Sequence, residues 1–229
     1  MDTRGFQLVE GVLSRGDVDR CLEALRETDK LGGVRRRGGE TFACRHLLWD
    51  LPGLGSLLTD VGLDALASRV LEGAAFPVAA TLFDKVQGAN WKVPSHQDRA
   101  VPVVEKVEVP GFTQWSVKIG IPYVEPPVEV LEQLVALRVH LDDCPVENGA
   151  LAVVPESHAR GRLADADVSD LPDGAFESCP AACGDVLLMK PLVVHRSLPA
   201  ESATHRRVLH VLYVTEELPG GLHWRTRGI

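Results

Sequence analysis

A mainly β protein, a sandwich or barrel with helices at its start, is predicted by three observations. Apolar residues recur at helical spacing before residue 76. Short segments rich in β-branched and aromatic residues follow, and turn residues separate them. With 229 residues, 45% of them hydrophobic, the chain is sized for one domain with a substantial core. We read 1–229 as that single domain, mostly helical over 1–76 and β-rich over 77–229.

Ser14 is a good N-cap, and Val18, Cys21, Leu22 and Leu25 follow at helical intervals. An amphipathic helix from Ser14 to Lys30 is expected. The next stretch, LGGVRRRGGETFACR, is rich in glycine and arginine, so Arg35 to Arg37 read as a solvated loop face, with contact to an anionic substrate as the sharper alternative. Leu54 to Leu71 reads as two helical pieces. In the second, Leu63, Leu66 and Val70 share a face and Gly73 marks the end.

Strands are expected at Val78 to Val86, Ala89 to Asp98, Leu137 to Leu141, Ala150 to Val154, Asp185 to Met189, Leu192 to His195 and Arg207 to Thr215. Asn148-Gly149 supplies turn chemistry between two of them. The interval from Ala100 to Leu131 holds too many prolines for a helix and is too hydrophobic to be disordered. It reads as a lid.

Charge and cysteine content exclude several functions. A formal net charge of −8 argues against nucleic acid as partner. The N-terminus, MDTRGFQLVEGV, lacks the apolar core of a signal peptide, and no uncharged run approaches the ~20 residues of a membrane span. A soluble, cytoplasmic protein without a membrane partner is expected. Five scattered cysteines make a poor disulfide framework, and Cys179 and Cys183 without a second pair read as free thiols rather than a zinc site.

The chemistry-bearing residues begin with WKVPSHQDRA. In a strand, side chains on either side of Gln97 point the same way, so His96 and Asp98 can share one metal. His195 follows the apolar run MKPLVV and supplies a second imidazole. Two histidines and one carboxylate form the facial triad that leaves three positions of Fe(II) open, two for a chelating co-substrate and one for O2. Arg206 follows eleven residues after His195, at the start of RVLHVLYV. Its guanidinium suits the far carboxylate of a dicarboxylic keto acid, which points to 2-oxoglutarate. Ser197 offers a hydroxyl to the same carboxylate. If the last strand begins one residue earlier, Arg207 takes the place of Arg206.

Here the sequence resembles the phytanoyl-CoA dioxygenase-like (PhyH) family of Fe(II)/2-oxoglutarate oxygenases. The resemblance spans most of the chain and is carried by LFDKVQGANWKVPSHQD, FTQWSVKIG, LRVHLDDCPVENGALAVVPESH, GDVLLMKPLVVHRSLPA and HRRVLHVLYV. It implies a double-stranded β-helix, or jelly roll, with His96, Asp98 and His195 as iron ligands and Arg206 as the 2-oxoglutarate anchor. Ser197 and Arg138 match further co-substrate contacts. The implied activity is hydroxylation of a small molecule with release of succinate and CO2. Relatives that halogenate lack the carboxylate, so Asp98 favours hydroxylation. Ser95 departs from the family, which commonly has tryptophan there, and the departure alters the pocket wall.

Several residues carry two readings. Lys92 shares the parity of His96 and can face inward, whereas the QGAN turn resets the register for Lys85. Trp91, Trp115 and Lys118 close the pocket or pack in the core, and His140 reaches the pocket or stays structural. His158 shapes a loop, and His46, His205, His210 and His223 read as surface or core. Asp142 and Asp143 point to opposite faces, which suits a turn better than acid-base work. Two rival functions share these residues: a cupin-like metal enzyme without a keto acid, and an inactive jelly-roll binding module.

Overall fold

The computed structural model describes residues 3–86, 89–201 and 205–225. Fourteen strands form the body: β1 (Phe6–Val9), β2 (Val34–Arg37), β3 (Glu40–Cys44), β4 (Phe76–Asp84), β5 (Val93–His96), β6 (Val101–Pro102) and β7 (Thr113–Lys118), then β8 (Ile121–Glu125), β9 (Val135–His140), β10 (Leu151–Val153), β11 (Glu177–Cys179), β12 (Val186–Met189), β13 (His195–Ser197) and β14 (Arg207–Val214). Among the described residues six helices accompany them: α1 (Arg15–Leu25), α2 (Leu47–Asp50), α3 (Leu54–Asp60), α4 (Leu63–Leu71), α5 (Val128–Glu132) and α6 (Asp165–Ser169).

The strands assemble into an antiparallel jelly roll. A seven-stranded sheet runs β1-β12-β9-β14-β4-β3-β2, and a four-stranded sheet runs β11-β10-β13-β5. Strands β6, β8 and β7 form a third, small sheet at one end. Strand β14 is the spine of the large sheet, pairing with β4 on one side and β9 on the other.

Alternation along these strands decides which side is core and which is site. Val135, Leu137 and Val139 of β9, with Leu209, Val211 and Tyr213 of β14, point outward and pack on Leu58, Leu63 and Leu66 of the helices. That layer is apolar apart from Tyr213, whose hydroxyl donates to Asp64 on α4 at 2.8 Å. Helix α1 begins where the sequence places it, because Ser14 and Asp17 form a reciprocal capping box. It ends at Leu25, and a short 3-10 turn over Thr28–Lys30 replaces its expected last turns. Helix α4 stops at Leu71, two residues before Gly73, since Glu72 itself takes the left-handed cap at φ 54°.

Two expectations need correction. The glycine- and arginine-rich stretch is no loop but the β2–β3 hairpin, the edge of the large sheet. Gly38 and Gly39 make its turn, with φ of 58° and 88°. Two adjacent residues at positive φ are what a tight hairpin of this hand requires. The expected strand Leu192 to His195 is shifted: Leu192 to Val194 form a turn and approach, and the strand starts at His195. The segment 100–131 is itself structured, as the third sheet plus part of α5. Its Val101, Val103, Phe112, Val124 and Leu131 bury against Ala136, Leu212 and Val214 in a second core. Among the described residues no helix is long and apolar enough to cross a membrane.

Candidate active site

The inward faces of the two sheets enclose a cavity of about 460 Å³. His96, Asp98, His195, Ser197, Arg138 and Arg206 all line it. The register explains how residues so far apart in sequence meet: His195 on β13 lies directly across from His96 on β5. Asp98 follows two residues later, its backbone N–H donating to the Pro191 carbonyl at 2.9 Å.

One ligand-type atom from each of His96, Asp98 and His195 falls within 4.8 Å of the others, the one such group among the described residues. The Nε2 atoms of both histidines stand 3.7 Å from the Asp98 carboxylate. Their Nδ1 atoms lie 2.8 and 2.9 Å from the carbonyls of Pro94 and Val193, two residues back in each case. A carbonyl accepts only, so each Nδ1 carries the proton and each Nε2 lone pair faces the carboxylate. Burial pushes the His195 pKa down to about 3. Burial pushes the Asp98 carboxyl up, but His195, His96 and His210 outweigh it and hold the group below the usual carboxylate range. Neutral imidazole and ionised carboxylate are the protonation states a divalent metal needs. The donor set therefore fits Fe(II).

Gln97, between the two ligands, points the other way and clamps β5 from behind. Its amide donates to the carbonyls of Gly161 and Leu192 at 2.9 and 2.7 Å, and its oxygen accepts from the Leu163 N–H at 2.9 Å.

At the far end of the cavity sits a cluster of buried cations. Arg206 enters it, donating to the Gly149 carbonyl, while Arg207 points outward to a two-pronged pair with Asp142 at 2.8 and 2.6 Å. Of the two arginines, Arg206 alone faces the cavity. Lys85 is fully buried here, its ammonium 3.0 Å from Ser197 Oγ and donating also to the Leu198 carbonyl. Burial, helped by Arg206, brings the Lys85 pKa down to about 7. Gly149 holds φ 68°, and a Cβ there would run into the Leu198 carbonyl and sit 3.2 Å from Lys85 Nζ. Only glycine leaves room for this cluster. Among the described residues none of Lys85, Arg138 and Arg206 has a carboxylate within ion-pair distance.

His210, read from the sequence as surface or core, lines the cavity. Its Nε2 lies 3.9 Å from Asp98 and its Nδ1 lies 3.3 Å from Arg138 Nη1. Because a guanidinium can only donate, Nδ1 accepts and Nε2 bears the proton, directed at Asp98. His210 is thus a tautomer opposite to that of His96 and His195, fit to orient the carboxylate rather than to ligate. The signal was present in RVLHVLYV, where His210 has the parity of Arg206.

The remaining candidates divide. Trp91 lines the cavity, edge-on to Phe42 at 4.7 Å. Lys92 is exposed, contrary to its parity with His96. The cause is a bulge: three residue steps from Val93 to His96 on β5 oppose two from Ser197 to His195 on β13. Odd positions face inward before the bulge and even ones after it. Trp115 packs on the second core and takes Lys106 over its ring, away from the cavity. Lys118 lies over the Tyr123 ring at 4.3 Å, and only Tyr123 of that pair lines the cavity. His140 is buried one step beyond Arg138 on the inward face of β9 without lining the cavity. All five cysteines are free.

Comparison with known proteins agrees with this architecture. The carbocyclase SnoK of nogalamycin biosynthesis superposes with a TM-score of 0.70 at 19% identity, over 99% of this chain and 84% of that one. EctD from S. alaskensis, solved with 2-oxoglutarate and 5-hydroxyectoine, superposes at 0.70 with 17% identity over 93% and 73%. The epimerase SnoN, in complex with Fe3+, alpha ketoglutarate and nogalamycin RO, gives 0.64 and 21% over 96% and 87%. At these identities the likeness shows the shared fold. A search of curated proteins finds no significant match. The family model for phytanoyl-CoA dioxygenase (PhyH) matches residues 1–208, nearly the whole jelly roll and every residue of the cavity up to Arg206. The chain belongs to the phytanoyl-CoA dioxygenase family and is an enzyme of the Fe(II)- and 2-oxoglutarate-dependent oxygenase class.

Proposed function

We propose that this protein is a dioxygenase that hydroxylates a small-molecule substrate while 2-oxoglutarate is converted to succinate and CO2. The observation that carries the reading is the tautomer pattern: both ligand histidines are fixed with Nε2 lone pairs facing the Asp98 carboxylate. Their neighbours leave them little else to do. His96, Asp98 and His195 hold the iron, and the iron with its keto acid supplies the oxygen chemistry when bound.

The protein's own residues bind, orient and exclude water. Arg206 receives the distal carboxylate of the co-substrate with its guanidinium fork, and the Ser197 hydroxyl adds a further donor. Lys85 keeps that hydroxyl in place and brings a third positive group to the same end. Arg138 fixes the His210 tautomer, and His210 steadies Asp98. The segment 100–131 is the lid, with Val101, Pro102 and Tyr123 forming one wall. Hydroxylation is favoured over halogenation because Asp98 fills the place a halide needs. EctD, solved with 5-hydroxyectoine, offers a parallel, whereas SnoK is a carbocyclase and SnoN an epimerase on the same fold.

The test is succinate release across a small-molecule library with Fe(II) and ascorbate. Substrate-coupled release is expected from the native protein and none from Asp98→Ala. Full turnover by that variant overturns the assignment. Arg206→Ala separates this reading from a metal enzyme that needs no keto acid: the dependence on 2-oxoglutarate must weaken sharply.

A further inference from the structure

The cavity has a second cationic end that the iron and the co-substrate leave uncommitted. Its lining includes four arginines, Arg35, Arg45, Arg138 and Arg206, against Asp98 as the one acidic residue. In a protein of net charge −8 this local excess of positive charge requires an explanation. Iron, Asp98 and a doubly charged keto acid together leave a single negative charge, which Arg206 neutralises. Arg35, Arg45 and Arg138 remain without a counterion; Arg138 is engaged with His210, whereas Arg35 and Arg45 face the other end, and among the described residues no carboxylate lies within ion-pair distance of either.

The register places Arg45 away from the co-substrate anchor, with Arg35 one strand further out at the level of Phe83. Ala43 and Cys44 of β3 pair with Phe83 and Leu82 of β4, so Arg45 continues the ladder to the level of Thr81, which pairs with His210 on β14. Lys85 and Arg206 exchange backbone hydrogen bonds at the other end of β4. Four residues of strand separate the two ends, about 13 Å at ~3.3 Å per residue. Laterally, Arg45 stands two strands from His210, about 10 Å at ~4.8 Å per strand. Arg35 pairs with Ala43 and so shares the inward face.

The hairpin is built to hold Arg45 in place. Its N–H donates to the Gly33 carbonyl at 3.0 Å, and a Cβ on Gly33 would collide with the Arg45 carbonyl oxygen. The Arg45 side chain lies beside the Tyr123 hydroxyl, and its Nε is buried without a hydrogen-bond partner. A desolvated guanidinium donor with no acceptor costs free energy until a ligand supplies one. The cavity these arginines share with the metal ligands is otherwise lined by apolar and aromatic side chains, Phe42, Phe83 and Trp91 among them.

We infer that the primary substrate is an anion: an apolar or aromatic body bearing a carboxylate or phosphate that Arg35 and Arg45 grip, about 10 Å from the carbon presented to the iron. This rests on the Fe(II)/2-oxoglutarate reading of the same cavity, and it names the substrate class that reading leaves open.

The test is calorimetry on the protein loaded with Mn(II) and saturated with 2-oxoglutarate, which occupies the Arg206 end. Three probes of one shape are compared: naphthalene-2-carboxylate, 2-naphthyl phosphate and naphthalene-2-carboxamide. At least one oxyanion is expected to bind about tenfold tighter than the carboxamide, the size of one charge-assisted contact. The stronger of the two identifies the oxyanion. The double variant Arg35→Gln/Arg45→Gln should bring the three probes within about twofold of one another while 2-oxoglutarate still binds. Arg35→Gln alone, on the exposed hairpin, should give part of that loss. Equal binding of the carboxamide, a preference that survives the double variant, or no binding of any probe overturns the proposal. Failure of the underlying reading shows separately, as native protein that does not bind 2-oxoglutarate; the probes are then compared with Mn(II) alone and judged by the same criteria.

Discussion

The two faces of β9 and β14 are both largely buried and opposite in chemistry. Outward lie Leu137, Val139, Leu209 and Val211, each 0% exposed and packed on the helices. Inward lie Arg138, His140 and His210, with Arg206 just before the strand; three are buried and His210 is half-buried. The outward face gains free energy from burial, at about 25 cal/mol per Å² of apolar surface. The inward face gives some back, because ionisable groups are desolvated without ion-pair partners. Period-two alternation lets one strand carry stability on one side and function on the other. Substitutions on the outward face should therefore cost far more stability than substitutions on the inward face.

The largest effect is expected outward. Leu209→Ala should cost about 2–5 kcal/mol in urea unfolding, while the folded fraction keeps its affinity for 2-oxoglutarate. Inward, Arg206→Gln should weaken 2-oxoglutarate about 10- to 100-fold by calorimetry, with little loss of stability. Equal destabilisation by both would break the distinction between the faces.

Lys85→Met sharpens the comparison through pH. The folded Lys85 pKa, about 7, lies below the value of a free lysine, so between these pH values the unfolded chain binds a proton that the native one does not. Native stability should rise with pH across that window. Below pH 7 the penalty of the buried charge is fully present, and there Lys85→Met should be most stabilising, by about 1 kcal/mol or more. The gain should shrink toward pH 10, as read from urea midpoints. A pH-independent difference between variant and native protein refutes the buried-charge account. The smallest effect belongs to Lys92→Ala: exposed beyond the bulge, it should change stability by less than about 0.5 kcal/mol and leave co-substrate binding unchanged.

Much of this arrangement was legible in the chain because it depends on local rules. Ser14 with the spacing of Val18, Cys21, Leu22 and Leu25 announced α1, and HQD announced two side chains on one face. The gathering of His195, Ser197 and Arg206 in one cavity was legible from their fixed spacing about a buried strand. What escaped depended on pairing. The β2–β3 hairpin has a solvent-facing edge, so no apolar pattern marks it, although Gly38-Gly39 is a two-residue turn signal. The β5 bulge is invisible without β13 beside it, and it reversed the expectation for Lys92. His210 was missed for a different reason: a single histidine among Val208, Leu209, Val211 and Leu212 looks structural until its strand parity is compared with that of Arg206.

The pairing of His96 with His195 has a consequence for how the protein acquires its metal. Ninety-nine residues of chain separate two side chains that become cross-strand neighbours. Closing so long a loop is entropically costly, and non-local β pairing forms late in folding. The unfolded or half-folded chain thus presents only the His96-Asp98 pair, a weak ligand set. On the proposed ligand set, tight binding would arrive with the docking of β13 onto β5, so that iron would select the finished jelly roll and stabilise it in proportion to how strongly it binds. Metal uptake during refolding should consequently report the completion of the topology, lagging behind the formation of the helices.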